Sequence, residues 1–412
     1  MTLKFAAVAA LKGNPKWSKC VQRIDHLYKR PNDPRSEFAR DYNRILHCNA
    51  YSRLKHKTQV FFAAENDHIC TRVEHINHVL SISQTIANWL GLNVELTSAI
   101  AIGHDLGHAP FGHEGGDILN KIAKDTIGET FWHEKNSLWF VDNLETIADP
   151  QNKQRNLALT YAVRDGIISH CGEVDESGIS PRDESVELSE ISVPNEFQPY
   201  TWEGCAVKFA DKIAFLGRDI EDAIELGILS RNEFNNRSKH LIKFMNSVMA
   251  GEQRAITNTA LIHVFITDLC KTSSPELGMK FSNERFELMS GLRNLNNTLI
   301  YQSLRLRFFK KLAKLVLESI FEILSNCYEK HDTLKAVCAT LKPYPLLKDT
   351  FYDWIIKYTD ADKTARTEAG YENKIVYDIK LRDNYYRAVI DFISGMTDSF
   401  ALTVFNDLTK FV

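Results

Sequence analysis

Residues able to do chemistry crowd into one part of the chain: of 14 histidines, eight lie between His56 and His133. The densest run is Gly103-His104-Asp105-Leu106-Gly107-His108-Ala109-Pro110-Phe111-Gly112-His113. It sets an adjacent histidine and aspartate at the end of an apolar helix, where an unpaired carboxylate would cost several kcal/mol. A divalent ion removes that cost, since imidazole nitrogen and carboxylate oxygen are good ligands and mixed sites with open positions suit hydrolysis. One helix end supplies only two adjacent ligands, so the rest must come from other helices. His75, shortly after Arg72, and Asp211, within Val207-Lys208-Phe209-Ala210-Asp211-Lys212-Ile213, are candidates because both sit among core positions. The same residues also admit a buried His/Asp ion pair, or a second ion held by His108 and His133. His108 stands one turn beyond His104, and His113 follows a Pro-Phe-Gly turn able to project it into the same space. With His133, these are candidates for general acid, general base or phosphate contact. His56, His68 and His78, taken singly, read as ordinary core or surface residues.

The elements that must position these groups are helices. Val73, Ile76, Val79, Leu80, Ile86, Trp89 and Leu90 recur at helical spacing and stop at Gly91, a residue type that suits a helix C-cap. Thr97 is expected to cap a helix over Ser98–Gly107 that breaks before Pro110. Further helices are expected from about Ala206 to Leu226, closing at Gly227, from Leu299 to Tyr328, and from Tyr385 to Val412. Short strands are expected only near Thr58–Ala63 and after Cys171. Gly172–Gly204 carries nine acidic residues, one basic residue (Arg182) and three prolines. It reads as a solvated insertion, with a lid over a site as the sharper alternative.

Length and composition narrow the class. A chain of 412 residues with 44% hydrophobic and 25% charged residues is that of a globular protein with a sizeable core. A net charge of -3 excludes the basic excess of a protein that coats nucleic acid. Eight scattered cysteines without a C-x-x-C pair point to a reducing, cytoplasmic home. The apolar Phe5–Leu11 segment runs into Lys12, Pro15 and Lys16, so a secretion signal is not expected, and no stretch is long enough for a membrane span.

At these same residues the sequence resembles the HD-domain phosphohydrolases, and more closely the deoxyguanosine triphosphate triphosphohydrolase (dGTPase) family. Four blocks carry the likeness: Arg40-Asp41-Tyr42-Asn43-Arg44-Ile45 with Arg53-Leu54-Lys55-His56-Lys57-Thr58-Gln59-Val60-Phe61; Thr71-Arg72-Val73-Glu74-His75; the His104–His113 run with Phe131–Asn136; and Asp391-Phe392-Ile393-Ser394-Gly395-Met396-Thr397-Asp398. They span about residues 35 to 400. The resemblance implies an all-α HD fold with at most a few short strands, divided as an N-terminal segment (1–60), an HD core with the acidic insertion (61–230) and a C-terminal helical region (231–412). It implies one divalent ion (Mn, Mg, Fe, Co, Ni or Zn) on His75, His104, Asp105 and Asp211. It further implies hydrolysis of a dNTP, dGTP included, at the α-phosphorus to deoxynucleoside and triphosphate.

By family position His113 is the leading general acid or water-positioning residue, with His108 and His133 as phosphate-binding or proton-handling partners and Arg72 and Lys212 as cations beside the ligands. The sequence departs from the family twice. Gly116 stands where relatives carry a carboxylate that orients the histidine equivalent to His113, leaving Asp117 as the candidate substitute. Phe215 stands where a tyrosine commonly packs on the deoxyribose, while Asp219 and Gln59 are candidates for holding the 3′-hydroxyl. Arg305, Arg307, Lys310, Lys311 and Lys314 form a basic helix face, read as solvated or as a contact for triphosphate, an effector nucleotide or single-stranded DNA. Homo-oligomers without membrane attachment are usual for such proteins. Competing readings are another HD phosphodiesterase or 5′-nucleotidase, and a nucleotide-sensing or nucleic-acid-binding module with weak catalysis.

Overall fold

Side chains that satisfy the first free amides decide where the helices of this protein begin. In the computed structural model, which describes residues 3–28, 32–62, 66, 68–171, 178–241, 243 and 256–410, Ser36, Asn93, Thr201, Ser282, Ser303 and Thr397 each accept from an amide two or three residues ahead. The helices used below are α1 (Glu37–Leu46), α2 (Arg72–Leu90), α3 (Val94–Gly103), α4 (Gly112–Ile127), α5 (His133–Trp139), α6 (Tyr161–Ile168), α7 (Trp202–Glu225), α8 (Asn258–Thr272), α9 (Asn283–Asn296), α10 (Leu304–Ser325), α11 (Pro345–Tyr358), α12 (Arg382–Ser394) and α13 (Asp398–Leu408). The strands are short: Thr146–Ala148 pairs antiparallel with Gln154–Asn156, and Gly178–Ile179 with Met279–Lys280. The fold is all-α.

Burial explains the layering. From Leu96 to Gly103 every residue of α3 is buried, so this helix must be surrounded, and it packs against α1, α2 and α6. The α2 helix runs along α7, which α8 and α9 also flank, while α4 is held between α10 and α12. The apolar Phe5 segment joins this core: the Phe5 ring meets Trp202 edge-on at 4.8 Å and its N–H donates to Leu90 O at 2.8 Å. Among the described residues no single helix is long and apolar enough to cross a membrane.

Several expected boundaries move. The helix after Gly91 starts at Val94, because Asn93 accepts from Glu95 N–H and Leu96 N–H while Thr97 Oγ1 is spent on Asn93 O at 2.9 Å. It stops at Gly103, leaving His104–Gly107 in turns. The stretch after Leu299 begins as a π-turn over Asn297–Tyr301 before α10 starts at Leu304. The terminal helix is broken: Gly395-Met396-Thr397 ends α12, Thr397 caps α13, and the two axes differ by 115°. Phe411 and Val412 lie outside the described residues. Thr58 forms only a single bridge to Thr71, and no strand covers 59–62; Ala63 lies outside the described residues. Residues 172–177 of the acidic insertion also lie outside them. The rest is no lid. Arg182 bonds Asp165, Tyr200 N–H donates to Asp165 Oδ2 at 2.7 Å, and Glu203 is buried in the first turn of α7.

Candidate active site

The site is assembled from helix ends. Glu74 Oε2 accepts the Thr71 N–H at 2.8 Å and the Thr71 hydroxyl at 3.1 Å, which starts α2 at Arg72 and fixes His75 within its first turn. His104 closes α3 and places its Nδ1 2.7 Å from Ala101 O, so that nitrogen carries the proton and Nε2 presents its lone pair. Asp211 projects from the middle of the long α7. His75 Nε2 lies 3.0 Å from Asp211 Oδ1, and His104 Nε2 lies 3.9 Å from the same oxygen. Asp105 completes the group, with Oδ1 3.6 Å from His104 Nε2 and Oδ2 4.0 Å from His75 Nε2.

These four side chains suit a divalent ion. His104 Nε2 is buried and has no hydrogen-bond partner, a costly state for a ring nitrogen that a metal would relieve. Ligand atoms of His75, His104 and Asp211 all lie within 4.8 Å of one another. Burial alone would raise the Asp105 carboxyl, but the imidazoles of His108 and His104 and the Arg72 guanidinium outweigh it and hold the group well below the usual carboxylate range. Burial is likewise outweighed at Asp211, where the His75 contact and the nearby imidazoles bring the carboxyl to about 2. Arg72 orients Asp105: its Nη1 donates to Oδ2 at 2.6 Å, while Nε and Nη2 donate to Thr58 O and Gln59 O at 3.1 and 3.2 Å.

A second histidine group stands beside the first. His108 and His133 stack at 4.1 Å between centroids, His113 meets them at 5.2 and 5.7 Å, and His108 Nε2 lies 3.3 Å from Asp105 Oδ1. Burial drives the His108 and His133 imidazoles well below their ordinary value, with the Arg72 guanidinium adding to it at His108 and the neighbouring imidazoles at His133 against the opposing pull of Asp105, so both are neutral at pH 7. One ring nitrogen from each of the three lies within 4.8 Å of the other two, which keeps the geometry for a second ion as well as for phosphate contact. His113 is exposed at the start of α4, and Asp117 follows one turn later on the same helix.

All of this borders a cavity of about 510 Å³, within the range of small-molecule sites. Gln59, Arg72, His75, Asp105, His108, His113, Asp117, His133, Asp211, Phe215 and Asp219 line it, and His104 lies buried beneath. Lys212 is buried and is not among the lining residues. Of the basic face on α10 only Lys310 reaches the cavity, where it pairs with Glu114 Oε2 at 2.9 Å; Arg305 donates to Leu226 O, and Arg307, Lys311 and Lys314 are exposed.

The opposite wall was not foreseen from sequence: Arg293, Asn294, Asn297, Tyr301 and Phe309 come from α9, the π-turn and α10. Tyr301 Oη donates to Asp219, whose carboxyl burial raises to about 7 despite that bond. His170 was also missed. It lies between His104 and His133, with ring centroids at 4.9 and 5.5 Å, and burial lowers it to about 4. Its signal was the repetition of the His104 pattern, a histidine just past an apolar helix whose Nδ1 meets the carbonyl three residues back, here Ile167 O at 2.6 Å.

Comparison with known proteins places these residues in context. The HD domain profile matches residues 72–216, and the phosphohydrolase-associated domain profile matches 345–407. The chain is 32% identical over 378 residues to a deoxyguanosinetriphosphate triphosphohydrolase-like protein of Caldanaerobacter subterraneus subsp. tengcongensis, covering 91% of this chain and 86% of the relative. Like-named proteins of Desulfatibacillum aliphaticivorans and Geobacter metallireducens are 35% and 31% identical, covering 72% and 91% of this chain and 77% and 89% of their own.

Proposed function

Because the chain belongs to the deoxyguanosinetriphosphate triphosphohydrolase-like family of HD-domain phosphohydrolases, we propose that it hydrolyses deoxynucleoside triphosphates, dGTP among them, to deoxynucleoside and inorganic triphosphate. One observation carries this reading: a cavity large enough for a nucleotide has the Asp105 and Asp211 carboxylates and the His108, His113 and His133 imidazoles along one side, over the buried unpartnered Nε2 of His104. His75, His104, Asp105 and Asp211 would hold one divalent ion, and their mixed nitrogen and oxygen donors accommodate Mn, Mg, Fe, Co, Ni or Zn. When bound, that ion supplies Lewis-acid stabilisation of charge on phosphoryl oxygens.

The chain's own groups do the rest. Arg72 holds Asp105 in place and lends positive charge to the cavity, with Arg293 and Lys310 on the far wall. His108, whose Nε2 faces Asp105 Oδ1 at 3.3 Å, and His133, whose Nδ1 faces Glu134 Oε2 at 3.3 Å, border the phosphates. His113 delivers a proton to the departing 5′-oxygen, and Asp117, one turn along α4, orients it. Phe215 lies against the sugar, where bulk disfavours a 2′-hydroxyl. Gln59 Oε1, buried without a partner, accepts from the 3′-hydroxyl beside Asp219.

The test is product analysis by ³¹P NMR after incubating each dNTP with the protein and Mn²⁺ or Mg²⁺. Triphosphate and deoxynucleoside are expected. A monophosphate with pyrophosphate, or orthophosphate alone, would assign the site to another HD phosphohydrolase reaction, and no turnover with any dNTP would favour a binding module.

A further inference from the structure

Three segments far apart in sequence are tied together beside the cavity by two side chains that do not line it. Asp398 opens α13 and is 2% exposed. Its Oδ1 accepts the Phe111 N–H at 2.9 Å and its Oδ2 accepts the Thr58 N–H at 3.0 Å. Lys57, equally buried, donates from Nζ to Ser394 O at 2.9 Å and to His108 O at 2.5 Å. Residues 57–58, 108–111 and 394–398 thus form one joint.

The backbone at this joint is unusual. Phe111 adopts the left-handed conformation, φ 65° and ψ 25°, which costs a residue with a Cβ about 1–2 kcal/mol. Gly112 follows with φ 63°, and a Cβ there would stand 3.2 Å from Gln59 O. Helix α4 begins at Gly112, so the Phe111 turn sets the direction of that helix and the placement of His113. Thr58 directly precedes Gln59. The two amides held by Asp398 therefore belong to the two segments that carry groups into the cavity from this side. A carboxylate suits the task because two N–H groups converge on it; a carboxamide would keep one acceptor and turn a donor toward the other N–H.

We propose that Asp398 is a positioning residue, through which the C-terminal region holds the Phe111 turn and the Thr58 segment so that His113 and Gln59 face the same cavity. This rests on the reading of His113 as the proton donor. Asp398 touches neither the metal ligands nor substrate, so its loss is felt in the geometry of the chemical step. A purely architectural joint would instead lower stability and leave turnover per folded molecule intact.

The experiment compares the metal-loaded full chain with Asp398→Ala and, as the milder change, Asp398→Asn, each below its melting temperature. Metal content, hydrogen exchange of the peptide covering 106–116, and kcat and KM for dGTP are measured. Expected results are unchanged metal content, faster exchange at Phe111, and kcat lower by on the order of 10²-fold for Ala and about 10-fold for Asn, with KM within about threefold. A lower melting temperature with kcat per folded molecule within about twofold of wild type would overturn the proposal. Exchange does not depend on turnover: a wild type inactive on every dNTP sinks the functional reading, while unchanged exchange at Phe111 in the folded variants sinks the joint by itself.

Discussion

Replacing Gly116 by glutamate separates two ways of supplying His113 with a carboxylate. Gly116 lies inside α4 with an ordinary helical backbone, and a Cβ there would meet nothing nearer than Phe131 Cε1 at 4.0 Å. The substitution is therefore accommodated, and removing a glycine from a helix interior stabilises the fold by about 0.5–1 kcal/mol. For a chain of 412 residues that is a rise in Tm of only roughly 0.5–1 °C. The effect on turnover depends on whether His113 already has its partner. Asp117 follows His113 by one turn and shares the cavity, whereas Glu114 is engaged by Lys310. A carboxylate about 4 Å from an imidazolium favours it by between ~1 kcal/mol in water and ~4 kcal/mol near a protein surface. Because both residues are exposed, the lower part of that range applies, so Asp117→Asn should reduce kcat about 10- to 100-fold. Gly116→Glu alone should change kcat less than about threefold, and Gly116→Glu in the Asp117→Asn background should recover most of the loss. Steady-state kinetics with dGTP across pH, alongside thermal melts, read all three variants. A rise of about tenfold or more in kcat for Gly116→Glu alone would refute the reasoning, since it would mean that native His113 has no working carboxylate.

Gly107→Ala should be far more damaging than its size suggests, because a Cβ would stand 2.1 Å from Ser137 N and 2.3 Å from Asn136 C, backbone that cannot step aside; a loss of at least about 2 kcal/mol in denaturant melts is expected, and a neutral result would contradict the close approach of the His104–Gly107 turn to α5. Burial raises Asp219 from 3.8 to about 7, outweighing the Tyr301 hydroxyl bond. The folded state thus keeps a proton that the unfolded chain has lost, and this contribution to stability is full below about pH 4 and disappears as the pH rises through about 7. The Tm of Asp219→Asn relative to wild type should climb between about pH 4 and about pH 7 and level off above that, and a difference independent of pH would contradict the buried protonated carboxyl. Phe215→Ala should narrow the preference for dGTP over GTP in kcat/KM, with metal content unchanged; an unaltered ratio would remove Phe215 from sugar discrimination.

The helical architecture was legible because periodicity and caps are local. Leu90–Gly91 ended α2 as expected, with Gly91 at φ 83°, and Gly227 closed the α7 region at φ 65°. Errors arose where two local signals competed: Asn93 outbid Thr97 as a cap, and the apolar pattern across Gly395 hid the Thr397 cap that splits the terminal helix. The His75, His104, Asp105 and Asp211 group stood out because each pairs a ligand type with a core position, although only the fold could bring their three segments together. The far wall gave no such signal. Arg293 on α9 looks like an ordinary surface residue, as do Asn297 and Tyr301 until a π-turn aims them at the cavity. Asp391 shows the converse: conspicuous in the C-terminal block, it is a buried acceptor for Trp139 Nε1, Tyr377 Oη and Arg387 Nε and lies outside the cavity.

Hydrolysis at the α-phosphorus has a signature that product identity alone lacks. Turnover of dGTP in ¹⁸O-labelled water, with mass spectrometry of both products, follows the oxygen of the attacking water. Attack at phosphorus, with the 5′-oxygen leaving with the nucleoside, predicts one ¹⁸O in the triphosphate and none in deoxyguanosine. Label in deoxyguanosine, or release of a labelled monophosphate or orthophosphate in place of triphosphate, would contradict the account.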